Sequence, residues 1–120
     1  MSLGMTKIYK FQDDVSTDAL KELEKHSSLA VDTEGSGLQI PHRDKLSLVQ
    51  FSAGNNDAYI IQPNRENYKA PNIIKILENN EITKIGHYLR YDISGLEYFL
   101  KCEVKNIFDN INIIYGFRYD

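Results

Sequence analysis

One cysteine, three prolines and no tryptophan stand among 120 residues. Cys102 has no second thiol to pair with, which excludes an intrachain disulfide and a cysteine-based zinc cluster and favours a reducing, cytoplasmic setting; plain packing is its expected role. No apolar run approaches the ~18 residues of a membrane span, so no bilayer-crossing segment is expected. An excess of positive charge is missing as well: 14 Lys and Arg face 17 Asp and Glu, a net charge of -3. That balance excludes the wide basic footprint of a protein that grips nucleic acid over a broad surface. A metal-dependent nuclease stays open, because it gathers carboxylates at its site and approaches phosphate through bound cations.

What is present, 42% hydrophobic and 26% charged residues, is the composition of one ordinary globular domain. Met1 to Gly4, ahead of Met5, reads as an expression remnant, and residues 5–120 as the domain. A strand over 7–11 and a polar patch at 12–14 precede a helix capped by Ser16 or Thr17, with Asp18 in its first turn and Leu20 and Leu23 inward. The apolar run Leu29-Ala30-Val31 then enters a strand carrying Asp32 and Glu34. Two glycines and a proline make 35–44 a loop. A strand over 45–52, with Leu46, Leu48 and Gln50 on one face, turns at Gly54-Asn55-Asn56-Asp57 into a strand over 58–62. These three strands form an antiparallel meander. Pro71 opens a helix whose inner face is Ile73, Ile74, Ile76 and Leu77, and which stops at Asn79-Asn80. A short strand over 83–86, a helix over 88–100 with Leu89, Ile93, Leu96 and Leu100 at helical spacing, and a strand over 104–108 follow. Residues 109–115 begin something helical. A meander followed by alternating helix and strand predicts an α/β fold with a mixed sheet.

Two carboxylates one residue apart on a strand share a face, with Cβ atoms ~6 to 7 Å apart. Like charges so placed call for a cation, and the spacing suits divalent ions ~3.5 to 4 Å apart, as in phosphodiester chemistry. Asp92 is the second anomaly. At ~100° per residue it falls about 60° from Leu89 and 40° from Leu96, on the apolar stripe of its helix, where a carboxylate needs a metal, an arginine or backbone donors. Three carboxylates from two distant segments make a hard-oxygen site of the kind that Mg²⁺ or Mn²⁺ prefers. Taken singly, each has a plainer reading: an exposed strand pair, and a helix-edge residue. His87 can contact phosphate or pack; Lys84, Arg90, Arg43 and Lys45 can line a nucleic-acid groove or be solvated; Tyr91 can stack a base, and Tyr88 packs or does the same.

The segments Leu29 to Leu38, Leu46 to Phe51 and Lys84 to Asp92 together resemble the first and second exonuclease motifs of the ribonuclease D type of DEDD 3'-5' exonucleases, in the same order and separation. Ile107-Phe108-Asp109 resembles the segment after the second motif, with Asn110 where that family has Thr. The resemblance implies a ribonuclease H-like fold and a hydrolase that removes nucleotides from the 3' end of RNA, more than DNA. By the same resemblance Asp32, Glu34 and Asp92 would be catalytic metal ligands for two Mg²⁺ or Mn²⁺ ions, the second held weakly. Asp32 would bridge both ions, and Glu34 would lie near the terminal hydroxyl. Thr33, Gly37, Leu38, His87, Tyr88 and Tyr91 would contact substrate, with Leu38 wedging the terminal base. The family's third motif, Tyr-x-x-x-Asp, is not found; Tyr115 and Asp120 have the wrong spacing. The chain therefore reads as a C-terminally truncated exonuclease domain of weak or no activity, and a homodimer or a complementary fragment is expected to cover its open sheet. The alternative is a non-catalytic remnant that binds nucleic acid or a partner.

Overall fold

A computed structural model of the chain describes residues 7–35 and 45–109. Strand β1 (Lys7–Gln12) leads to helix α1 (Thr17–Leu23), which is capped by Ser16, whose Oγ accepts from the Ala19 N–H at 3.1 Å. Strands β2 (Ser28–Gly35), β3 (Leu46–Ser52) and β4 (Asp57–Gln62) form the expected antiparallel meander. Then come α2 (Pro71–Glu78), β5 (Thr83–Gly86), α3 (Leu89–Leu100) and β6 (Ile107–Asp109). The described strands form one sheet in the order β1-β4-β3-β2-β5-β6, in which β3 alone runs against the rest. This is the mixed α/β sheet that the order of elements predicted, and the ribonuclease H-like fold that the resemblance implied. Among the described residues no helix is long and apolar enough to cross a membrane.

One face of the sheet carries the core. Leu29 and Val31 of β2, Val49 and Phe51 of β3 and Ile61 of β4 are buried in one cluster with Leu20 and Leu23 of α1, Ile73, Ile76 and Leu77 of α2, and Leu89, Leu96 and Leu100 of α3. The inward face of β3 is therefore Val49 and Phe51, not Leu48 and Gln50, which are half-buried on the other side. A bulge explains the phase: Glu34 pairs with Leu48 and Gly35 with Leu46, so Ser47 is skipped and Leu46 returns to the buried side.

Helix α2 is capped from outside itself. α2 has Pro71 in its first turn and Ala70, which offers no side-chain bond, at its N-cap. Asp14, in the patch after β1, takes that role: its two oxygens accept from the N–H groups of Asn72 at 2.8 Å and Ile73 at 2.9 Å. The last strand starts at Ile107 rather than at residue 104, because the preceding backbone is engaged elsewhere. The Lys105 N–H donates to the Leu77 carbonyl at 3.0 Å, its carbonyl accepts from Lys84 Nζ at 2.9 Å, and Asn106 turns through φ 62°.

Candidate active site

β2, β5 and β6 are parallel neighbours, so their carboxyl ends lie along one edge of the sheet, the usual place for a site in an open α/β sheet. Pairing of β2 with β5 stops at Ala30 and Ile85, and beyond that point β2 continues against β3 alone. Asp32 and Glu34 stand on this extension. They alternate with buried Val31, so both point to the exposed face, as the strand period required.

α3 enters the gap from the other side. β5 ends at Gly86, where a Cβ would lie 2.6 Å from Leu89 Cδ1, so that any side chain there would displace Leu89. Tyr88 then adopts left-handed backbone, φ 58°, a conformation that a non-glycine residue holds at a cost of about 1 to 2 kcal/mol. The helix proper begins at Leu89 and carries Asp92 in its first turn.

Asp92 is only 8% exposed, on the apolar stripe where its spacing placed it. Its Oδ1 accepts from the Thr33 hydroxyl at 2.5 Å, which ties α3 to the middle residue of the Asp-x-Glu segment. Burial lifts the Asp92 carboxyl to about 6; Thr33 hydrogen bonds oppose this, and the charges of Asp32 and Asp109 add to it. The described charges acting on this buried acid are thus acidic themselves. A hard divalent cation is the chemical complement of such a donor set.

Asp32 and Asp92 line one depression, with His87, Tyr88 and Tyr91. Glu34 lines the adjoining one, with Thr33, Gly35, Leu46, Tyr91, Gly95 and Phe99, so Tyr91 borders both. Among the described residues no three His, Cys, Asp or Glu side chains converge as a closed metal-binding group. Asp32 and Asp92 come together, and Glu34 stands one depression away. Thr33, expected at the substrate, gives its hydroxyl to Asp92. Tyr88 does not pack as expected: it is 63% exposed, turned outward by its backbone, and its ring meets His87 edge-on at 4.8 Å. Lys84 is no groove residue: it is fully buried, and Nζ donates to the carbonyls of Asn79 at 2.6 Å and Lys105 at 2.9 Å. Gly37, Leu38 and Arg43 lie outside the described residues, as do Tyr115 and Asp120.

Asp109 escaped the reading of site residues. It ends β6, pairs in register with Gly86, and accepts from the Leu89 N–H at 3.2 Å. Its sequence signals were its place just past a predicted strand and the resemblance of Ile107-Phe108-Asp109 to the segment after the second motif.

Residues 9–114 match the 3'-5' exonuclease family. The chain belongs to that family. The chain superposes on the solved structure of Brucella melitensis NrnC with bound Mg²⁺ with a TM-score of 0.80 at 31% identity, over 94% of this chain and 57% of that one. Against Brucella melitensis NrnC bound to pGG the TM-score is 0.79 at 31% identity, over 96% and 57% of the two chains. The catalytic core of RRP6 from Trypanosoma brucei, 21% identical with a TM-score of 0.66 over 91% of this chain and 30% of that one, shares the fold. The chain thus spans just over half the length of the NrnC chain. No curated protein matches the sequence. DEDD exonucleases, the group to which these structures point, are generally dependent on divalent metal ions.

Proposed function

We propose that this chain is a metal-dependent exonuclease domain that shortens RNA from its 3' end, with Asp32, Glu34 and Asp92 as the residues that hold Mg²⁺ or Mn²⁺. The observation that carries the reading is the buried Asp92 carboxylate, bonded to the Thr33 hydroxyl of the first motif and sharing a depression with Asp32. When bound, such ions supply an activated water and neutralise charge on the phosphate. The chain's own residues do the rest. Thr33 orients Asp92; the exposed ring faces of Tyr88 and Tyr91 offer stacking surfaces for a terminal base; His87 stands beside them for phosphate. The pGG in the NrnC structure supports a short nucleic acid as ligand.

The test uses 5'-labelled RNA and DNA of one sequence, incubated with Mn²⁺. A ladder shortening from the 3' end is expected, faster on RNA, and lost in Asp32→Asn and Asp92→Asn. A ladder that persists in both variants refutes the assignment, and equal or faster shortening of DNA refutes the RNA preference.

A second reading has its own support. Glu34 stands outside the depression that Asp32 and Asp92 share, and the last described strand exposes Ile107 and Phe108 by more than two-fifths. On this reading the chain works in the cytoplasm as a homodimer, or with a complementary polypeptide that covers that edge, and binds nucleic acid without cleaving it alone. A monomer mass in light scattering at high concentration counts against it.

A further inference from the structure

The first turn of α3 is held at two points. On one side Thr33 of β2 donates to Asp92. On the other, the helix start has no cap of its own, since Tyr88 at the N-cap makes no side-chain bond. The Leu89 N–H donates instead to Asp109 Oδ2, 20 residues ahead, at 3.2 Å. Asp109 is fixed in turn by the pairing of β6 with β5, opposite Gly86, at the tight turn where Leu89 packs onto the glycine. The arrangement repeats that of Asp14 at α2, where a carboxylate from a distant segment satisfies the first amides of a helix lacking its own cap.

We infer that Asp109 is a positioning residue of the candidate site: as a hydrogen-bond acceptor it locks the start of α3 to β6 and so sets where Asp92 stands relative to Asp32. The inference rests on the reading that Asp32 and Asp92 hold a divalent ion. Partners that orient metal ligands without touching the metal change affinity by roughly 10- to 100-fold when removed. An acceptor role differs from a charge role or direct ligation in its tolerance of amide. Asparagine keeps an oxygen of the same reach, caps helices as well as aspartate does, and carries no charge.

The experiment compares the full chain with Asp109→Asn and Asp109→Ala in three measurements: hydrogen exchange of the Leu89 amide in chelator, Mn²⁺ affinity by electron paramagnetic resonance, and urea stability. Asp109→Asn should keep Leu89 protected and bind Mn²⁺ like the parent. Asp109→Ala should lose that protection and bind Mn²⁺ about 10-fold more weakly or worse. Exchange at Ala30, in the β2–β5 ladder, should hold steady. Should Asp109→Ala not fold, Asp109→Glu takes its place, keeping the charge but displacing the oxygen, and the same weakening is expected. The inference is overturned if Asp109→Asn is as impaired as Asp109→Ala, or if Asp109→Ala and Asp109→Glu bind Mn²⁺ like the parent. A parent that binds no Mn²⁺ instead refutes the metal reading of Asp32 and Asp92. Leu89 exchange then decides alone, with retained protection in Asp109→Ala refuting the cap.

Discussion

Replacing Asp92 with asparagine should make the protein more stable in chelator at pH 8 and leave it indifferent to Mn²⁺. In the native state burial raises the Asp92 carboxyl from 3.8 to about 6. The native state therefore holds this proton more tightly than the unfolded chain, and between about pH 4 and pH 6 stability must fall as pH rises. Below that window the acid is protonated in both states and costs nothing. Above it the ionised group is buried among like charges, at a penalty of up to about 3 kcal/mol. Asparagine keeps the shape and the acceptor for Thr33 but cannot ionise, so the variant should gain most of that penalty back at pH 8. For a domain of this size that is a rise of ~5 to 10 °C in melting temperature. Calorimetric melts from pH 4 to pH 8 with a chelator, parent against variant, isolate Asp92 from the other carboxylates. Mn²⁺ at 100 times its dissociation constant should then add about 2.7 kcal/mol to the parent and nothing to the variant. Parallel pH profiles for the two proteins would refute the argument.

Two further outcomes follow from the packing. Asp14→Ala removes the acceptors for two α2 amides and should lower stability by about 1 to 2 kcal/mol in urea unfolding, and Asp14→Asn, which keeps one oxygen and turns its NH2 toward the other amide, should lose at least half of that. Lys84→Met leaves the carbonyls of Asn79 and Lys105 without this donor in the interior, and a loss of about 1 to 3 kcal/mol is expected, read as a lower urea midpoint at unchanged slope.

The features legible in the sequence are those with a local period. Asp32 and Glu34 share a face because a strand repeats every two residues, and Asp92 falls on the apolar stripe because a helix repeats every 3.6. The meander and its turn were equally local, written in Gly54 to Asp57. Where the reading failed, the cause lay in a partner far along the chain. The bulge opposite Glu34 shifts the phase of β3 and is invisible within that strand's residues. Lys84 stood open between a groove and bulk solvent, where lysine ordinarily lies, yet two carbonyls from separate loops meet its ammonium. Tyr88 faces outward because its backbone is left-handed, which its identity did not announce. Asp109 acts on an amide 20 positions earlier, across two strands, and no periodicity reports that contact.

The borrowed carboxylates bear on how the chain is made. During vectorial synthesis α1 can close on its own serine as soon as it leaves the ribosome, and α2 finds Asp14 already emerged. α3 alone draws an acceptor from residues not yet translated, so its Leu89 amide waits for that bond until residue 109 clears the exit tunnel. The segment bearing Asp92 is thus the last of the three described helices to gain its cap.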